Sequence, residues 1–228
     1  MIGPGGYGEP MRLRADAILF DSDGVLVDSH QQVDEAWSLL ADEFGLDIGV
    51  LRGELVGARA ADTLGRHLPP TRLDAAVARL EELEVATAVT TEPVAGALDL
   101  LRSLPAGTWT IVTSATRQLG EARWRGAGIP APDEVVTAER VTVGKPHPEP
   151  FLAGAAVLGR EPGRCLVFED SRPGGAAAAT AGARVVAIGR QRWDVEPVIR
   201  LADLTTVKLV GADAGGLDLE LTAAPDHL

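Results

Sequence analysis

Two apolar runs, "DAILFD" at 16–21 and "WTIVTS" at 109–114, stand almost ninety residues apart, and that gap constrains the fold more than any other feature of the chain. Further apolar, often β-branched runs follow with helical patterns between them: "EVVTA" at 134–138, "CLVFED" at 165–170 and "ARVVAI" at 183–188. Strands that alternate with helices belong to a parallel sheet covered on both faces. An ordinary crossover does not need ninety residues, so something is inserted between the first two strands. The insertion reads as helical. Ser29 followed by Gln32 predicts a capping box, and Val33, Ala36, Trp37, Leu40 and Phe44 keep helical spacing up to Gly45. "TRLDAAVARLEELEVATAV" is a second amphipathic run. The expected organisation is an α/β, Rossmann-like parallel-sheet core from residues 14–27 and 96–228, with a helical subdomain at 28–95. Crossings near Val27 to Ser29 and Thr91 to Gly96 would form a two-stranded hinge. Residues 1–13, with their Gly and Pro, are expected to be a flexible tail. "TTVKLVGADAGGLDLEL" reads as two strands around a Gly-rich turn, and "GGAAAATAGA" as a tightly packed helix.

Composition excludes several classes. Thirty-three acidic against 21 basic residues give a net charge of −12, a field that repels nucleic acid and anionic membrane. Aromatics are only 4%, too few for stacking platforms along single strands. No apolar stretch approaches the ~18 residues of a membrane span. The opening residues lack the apolar core of a signal peptide. The single cysteine, Cys165, excludes an intramolecular disulfide and reads as a core thiol in a reducing compartment. A cytoplasmic enzyme or binding protein is expected, as a monomer or weak homodimer. Any phosphorylated substrate must be drawn in locally, against the overall field.

The stretch "ILFDSDGVLVDS" ends its apolar run in Asp21 and Asp23, which share one side of an extended chain just where Gly24 lets the backbone turn. Carboxylates that close stay useful at neutral pH only if a cation sits between them or one holds a proton. Ligands of open parallel sheets bind beyond the carboxyl ends of the strands. Three more such ends or loops carry polar residues: Thr113-Ser114 before a helix, the loop "VTVGKPHPEPF" with Lys145, and Glu169-Asp170. Taken singly, a serine before a helix is an N-cap, a loop lysine a solvated charge, and carboxylates after a strand turn formers. Taken together, a parallel sheet converges them on one crevice. Hard oxygen ligands with room for a phosphate suit Mg²⁺.

These four stretches, "DSDGVLVDS", "TS" at 113–114, "GKPHPEPF" and "FEDS" at 168–171, resemble the motifs of the haloacid dehalogenase (HAD) superfamily, over about residues 14–210. The resemblance is to its phosphatases with a helical cap after the first strand, and the run from Thr113 to Gly159 is similar to the sugar-phosphate and glycerol-phosphate phosphatases. It implies a Mg²⁺-dependent phosphatase acting on a small phosphorylated sugar or polyol. By the same resemblance Asp21 attacks phosphorus and becomes an aspartyl-phosphate. Asp23 protonates the leaving alcohol and then activates water. Mg²⁺ is held by the Asp21 side chain, the Asp23 backbone carbonyl and Asp170, with Glu169 close by or acting through water. Ser114, with the N–H groups of a helix N-terminus, and Lys145 hold the phosphoryl oxygens.

Ser22 departs from the larger apolar residue of many relatives, at a position expected to contribute only backbone. Val33 stands where the hexose-phosphate mutases of the superfamily carry a supporting histidine, so hydrolysis is expected rather than β-phosphoglucomutase-like transfer. His30 reads as an exposed residue at a helix start. Arg59, after Gly57, reads either as a cap contact to the leaving group or as a surface charge. His67, His147 and His227 are assigned no role. A C–halogen hydrolase would need neither Asp23 nor the acidic pair at 169–170. A catalytically silent sugar-phosphate sensor would have no reason to keep Asp21, Asp23, Lys145 and Asp170 together.

Overall fold

The chain, described here by a computed structural model over residues 9–55, 57–191 and 193–223, begins with β1 (Met11–Ala15) and β2 (Ala17–Phe20). It leaves the sheet through β3 (Val27–Asp28) and forms α1 (His30–Phe44), α2 (Ile48–Leu51), α3 (Ala60–Leu64) and α4 (Pro70–Thr87). It returns through β4 (Glu92–Pro93), α5 (Ala97–Ser103), β5 (Trp109–Ile111) and α6 (Arg117–Ala127). Then follow α7 (Glu149–Val157), β6 (Cys165–Glu169), α8 (Arg172–Thr180), β7 (Arg184–Ile188), β8 (Ile199–Leu201), β9 (Val207–Asp213) and β10 (Gly216–Leu221).

The main sheet has the order β5-β2-β6-β7-β8 and every pairing in it is parallel. All four residues of β2 are buried, because helices cover both faces. Ile18 and Phe20 face α5 and α6 through Leu100, Leu101 and Trp124, while Ala17 and Leu19 face α7 and α8 through Phe151, Ala155 and Ala178. Each fully buried Leu, Ile or Phe of this kind contributes roughly 1.5–3 kcal/mol. Burial on both sides is why these strands read as unbroken apolar runs.

Three sequence expectations need correction. The tail expected at 1–13 does not hold for residues 11–13, which belong to β1. Of the rest, residues 1–8 lie outside the described residues, and Met11–Ala15 pairs antiparallel with β10, Leu13 opposite Leu219. The run alternates Met11, Leu13 and Ala15 with Arg12 and Arg14, and the arginines meet Glu220, Asp213 and Asp218 across the second sheet, β1-β10-β9. "EVVTA" is not a full strand. It reaches β5 through a single bridge, Val112 to Val136. Ser29 does start α1, but its hydroxyl donates to Asp23 instead of closing a capping box, and Gln32 reaches the carbonyl of Thr90.

The helical insertion carries its own apolar cluster, in which Trp37, Leu40, Leu51, Leu64 and Leu80 are buried against one another. α1 ends where Gly45 takes φ 69°, the left-handed conformation suited to glycine. Insertion and sheet are joined by a short antiparallel ribbon in which Val27 pairs with Pro93 and Asp28 with Glu92. No helix of the described residues is long and apolar enough to cross a membrane.

Candidate active site

Pairing persists one residue past β2, because the N–H of Asp21 donates to the carbonyl of Phe168 at 2.9 Å. That bond sets Asp21 beside the end of β6, next to Glu169 and Asp170. Immediately beyond, the carbonyl of Ser22 accepts from the N–H groups of Val25, Leu26 and Val27, and Gly24 takes φ 78°. A side chain on Gly24 would run into the Asp170 carboxylate, so glycine lets this turn press against the end of β6.

Carboxylate oxygens of Asp21, Glu169 and Asp170 lie within 4.8 Å of one another. Lys145 is buried among them, donating to Asp21 Oδ1 at 2.5 Å and to Glu169 Oε2 at 2.8 Å. The other Glu169 oxygen accepts from Asp170 N–H, Ser171 N–H and Ser171 Oγ–H. Glu169 thus has both oxygens engaged by protein donors. α8 comes close to it because Gly174 stands in the first turn of that helix; a Cβ there would overlap the Glu169 carboxylate.

The charges explain one another. Burial raises the Asp21 carboxyl well above its usual range, Glu169 adds to this, and Lys145 opposes it. Burial also lifts the Asp170 carboxyl to about 6. Burial alone would lower the Lys145 ammonium, but Asp21 and Glu169 outweigh it and hold it above its ordinary value. Three carboxylates face the Lys145 ammonium and, at Asp170 Oδ2, the His30 imidazole, which still leaves room for a further positive charge. Hard oxygens on Asp21 and Asp170, not already taken by the protein, form a donor set that fits Mg²⁺.

Asp23 points away from this cluster. Its Oδ1 accepts from Ser29 Oγ at 2.5 Å and from Arg123 Nη1 at 2.9 Å. Arg123 lies on α6 and also donates to Glu84 of α4 at 2.9 Å. Between the sheet edge and the helical insertion lies a cavity of about 620 Å³, lined by Asp21, Asp23, Ser114, Arg59 and Asp170 among others. Both strand-turn aspartates therefore face one chamber.

Ser114 lines that cavity, though it is not at a helix start. Thr116 caps α6, and the Ser114 hydroxyl donates to the carbonyl of Gly57 at 2.8 Å. Arg59 caps α3 and lines the cavity, with its guanidinium on the Asp62 carboxylate and the carbonyl of Val141. His30 is not merely an exposed residue. Its Nε2 lies 3.5 Å from Asp170 Oδ2, and that carboxylate raises the imidazole to about 9. Ser22 contributes more than backbone, since its hydroxyl accepts from the buried Trp124 indole N–H at 2.9 Å. His67 pairs with Glu54 and His147 lies near Glu149, while His227 is outside the described residues. Cys165 is a buried core thiol.

Sequence reasoning missed Arg123 and Glu84 altogether. A signal existed for Arg123. Leu119, Arg123 and Ala127 are spaced by four, which places the arginine on the buried stripe of α6.

Similarity to known proteins points the same way. The chain is 40% identical to hexitol phosphatase A of Escherichia coli over 182 residues, covering 77% of this chain and 84% of that protein. It is 33% identical to glycerol-1-phosphate phosphohydrolase 2 of Saccharomyces cerevisiae over 196 residues, 79% of this chain and 77% of that one. Its fold is similar to that of β-phosphoglucomutase from Clostridium difficile, with a TM-score of 0.75 at 22% identity, covering 85% and 93% of the two chains. Residues 15–182 match the family of haloacid dehalogenase-like hydrolases, and the chain belongs to that family.

Proposed function

We propose that this chain is a Mg²⁺-dependent phosphatase that hydrolyses a small phosphorylated sugar or polyol through an aspartyl-phosphate on Asp21. The observation that carries the reading is the division of labour between two aspartates two residues apart. Asp21 sits with Lys145, Glu169 and Asp170, and Asp23 sits apart with Ser29 and Arg123. The named activities of the hexitol and glycerol-1-phosphate relatives support a polyol or sugar as the alcohol.

In this reading the Asp21 carboxylate attacks phosphorus and the bond to the leaving alcohol breaks. Asp23 gives its proton to that alcohol oxygen, then takes one from the water that hydrolyses the acyl phosphate. Lys145 and Ser114 hold phosphoryl oxygens, and Lys145 also fixes the direction of Asp21. Asp21, Asp170 and the Asp23 carbonyl would hold Mg²⁺, which when bound neutralises charge on the phosphoryl group. Glu169 acts through Lys145, because both its oxygens are occupied by protein donors. Arg59 faces the alcohol. The buried thiol and the net charge of −12 support a cytoplasmic enzyme, a monomer or weak homodimer, that binds neither nucleic acid nor membrane.

A panel of phosphate monoesters assayed for released phosphate with Mg²⁺ tests the reading. Several hexitol, sugar or glycerol phosphates should be hydrolysed, with no interconversion of glucose 1-phosphate and glucose 6-phosphate, since Val33 replaces the mutase histidine. Asp21→Asn should abolish turnover. Substantial activity in that variant would overturn the mechanism, because the uncatalysed reaction is too slow to contribute.

A further inference from the structure

Asp23 is held at one oxygen only. Oδ1 accepts from Ser29 Oγ and Arg123 Nη1, whereas Oδ2 accepts no hydrogen bond among the described residues and the side chain lines the cavity. Arg123 is 3% exposed and Glu84, its second partner, 7%. A guanidinium buried this deeply is tolerated when both sides meet carboxylates in good geometry. The contact is between parts of the fold, since Asp23 belongs to the turn that follows β2, Arg123 to α6 and Glu84 to the inserted helix α4. The surfaces fit closely there. A Cβ on Gly126 of α6 would lie closer than 3.0 Å to the carbonyl of Ala88, just past α4, and Thr116 Oγ1 donates to Glu81 one turn before Glu84.

We propose that Arg123 is a positioning residue for proton transfer at Asp23, set in place by Glu84, and that it reserves Oδ2 for the leaving alcohol. The inference rests on the phosphatase reading above. With Oδ1 taken by two donors, the transferable proton is carried on Oδ2. As the bond from phosphorus to the alcohol oxygen breaks and its electron pair passes to that oxygen, the Oδ2 proton moves to it. When water then bonds to phosphorus, Oδ2 takes the water's proton and the Asp21 oxygen departs with its electron pair. A rotated Asp23 would still be an acid, but in the wrong place.

The test compares leaving groups. p-Nitrophenolate departs without a proton, whereas glycerol needs one. In rapid-quench measurements on Arg123→Met, phosphorylation of the enzyme by glycerol 1-phosphate should slow roughly 10–100-fold, part of the 10²–10⁴ that general acid catalysis supplies. The burst of p-nitrophenolate from p-nitrophenyl phosphate should change by less than about threefold. Steady-state release after the burst should slow, because water needs the same oxygen. Arg123→Lys should recover part of the rate, and Glu84→Gln should show a smaller loss with the same leaving-group selectivity. If Arg123→Met does not fold, the double variant Arg123→Met/Glu84→Leu removes both buried charges and carries the same comparison. Equal losses on the two substrates, as a purely structural role would give, would overturn the inference alone. A parent enzyme that hydrolyses neither substrate would overturn the phosphatase reading as well.

Discussion

Replacing Lys145 by methionine keeps most of the side-chain volume and removes one charge from the centre of the site. The ammonium side chain is 0% exposed and is shared between Asp21 at 2.5 Å and Glu169 at 2.8 Å. Glu169 Oε1 keeps its three donors from residues 170 and 171, so the loss falls on Glu169 Oε2 and on Asp21. Removing one partner of a buried pair costs about 3–5 kcal/mol. In a chain of this length each kcal/mol moves Tm by about 2–4 °C, so Tm should fall by roughly 6–20 °C near neutral pH. The pH dependence has a definite sign. Burial already holds Asp21 above the usual carboxylate range, and Lys145 is what opposes that rise. Without Lys145 the native state binds the proton more tightly still. The deficit should therefore be small below the ordinary carboxylate pKa and grow as pH rises through the raised value. Calorimetric melts at about pH 4.5 and 7.5 measure it. A second variant, Lys145→Met/Glu169→Gln, removes one of the stranded charges and should regain much of the Tm while remaining inactive. A loss below about 2 °C near neutral pH, or a deficit that does not shrink in acid, would refute the argument from uncompensated charge.

Asp170, held up to about 6 against an ordinary 3.8, contributes stability that is whole below about pH 4 and is lost as pH rises through 6. EDTA-treated protein should accordingly lose Tm between those limits more than an Asp170→Asn variant does, and Mg²⁺ at neutral pH should raise the Tm of the parent only. Gly174→Ala drives a methyl group into the Glu169 carboxylate, so kcat should fall although residue 174 touches no substrate; an unchanged kcat would show that Glu169 has no part in setting Lys145. Arg59→Ala should raise KM or shift preference among polyol and sugar phosphates without preventing phosphoenzyme formation, and an unchanged substrate profile would return Arg59 to its structural pairing with Asp62.

What could be read in the sequence followed burial. β2, β6 and β7 were legible because strands covered on both faces have no polar alternation to hide them. β1 was obscured by its arginines, which alternate with apolar residues after a Gly/Pro segment and find their acids some two hundred residues later. β8 is a three-residue edge with no pattern of its own. In the site, Asp21, Lys145, Glu169 and Asp170 lie on strand ends or a following loop, where chain order alone predicts convergence. Arg123 and Glu84 lie inside helices, and their meeting depends on how the insertion folds back over α6, which no linear motif encodes. Ser29 was legible as a helix start, but nothing local told its hydroxyl to prefer Asp23 over its own helix.

The ribbon of two residue pairs, Val27 with Pro93 and Asp28 with Glu92, makes the helical insertion a cassette. Its two ends leave and re-enter the sheet side by side, so a chimaera cut at these pairs exchanges everything from residue 29 to 91 while Asp21, Lys145, Glu169 and Asp170 stay with the recipient. Such a graft would exchange one wall of the cavity, with Val33, Trp37 and Arg59, as a single part. The cassette is keyed, however. It brings Ser29 and Glu84, and the recipient supplies Asp23 and Arg123. A donor lacking an acid opposite Arg123 would leave one side of that buried guanidinium unpaired while Asp23 holds the other, and so compatible grafts should be those that retain a carboxylate at position 84 or lose the arginine together with it.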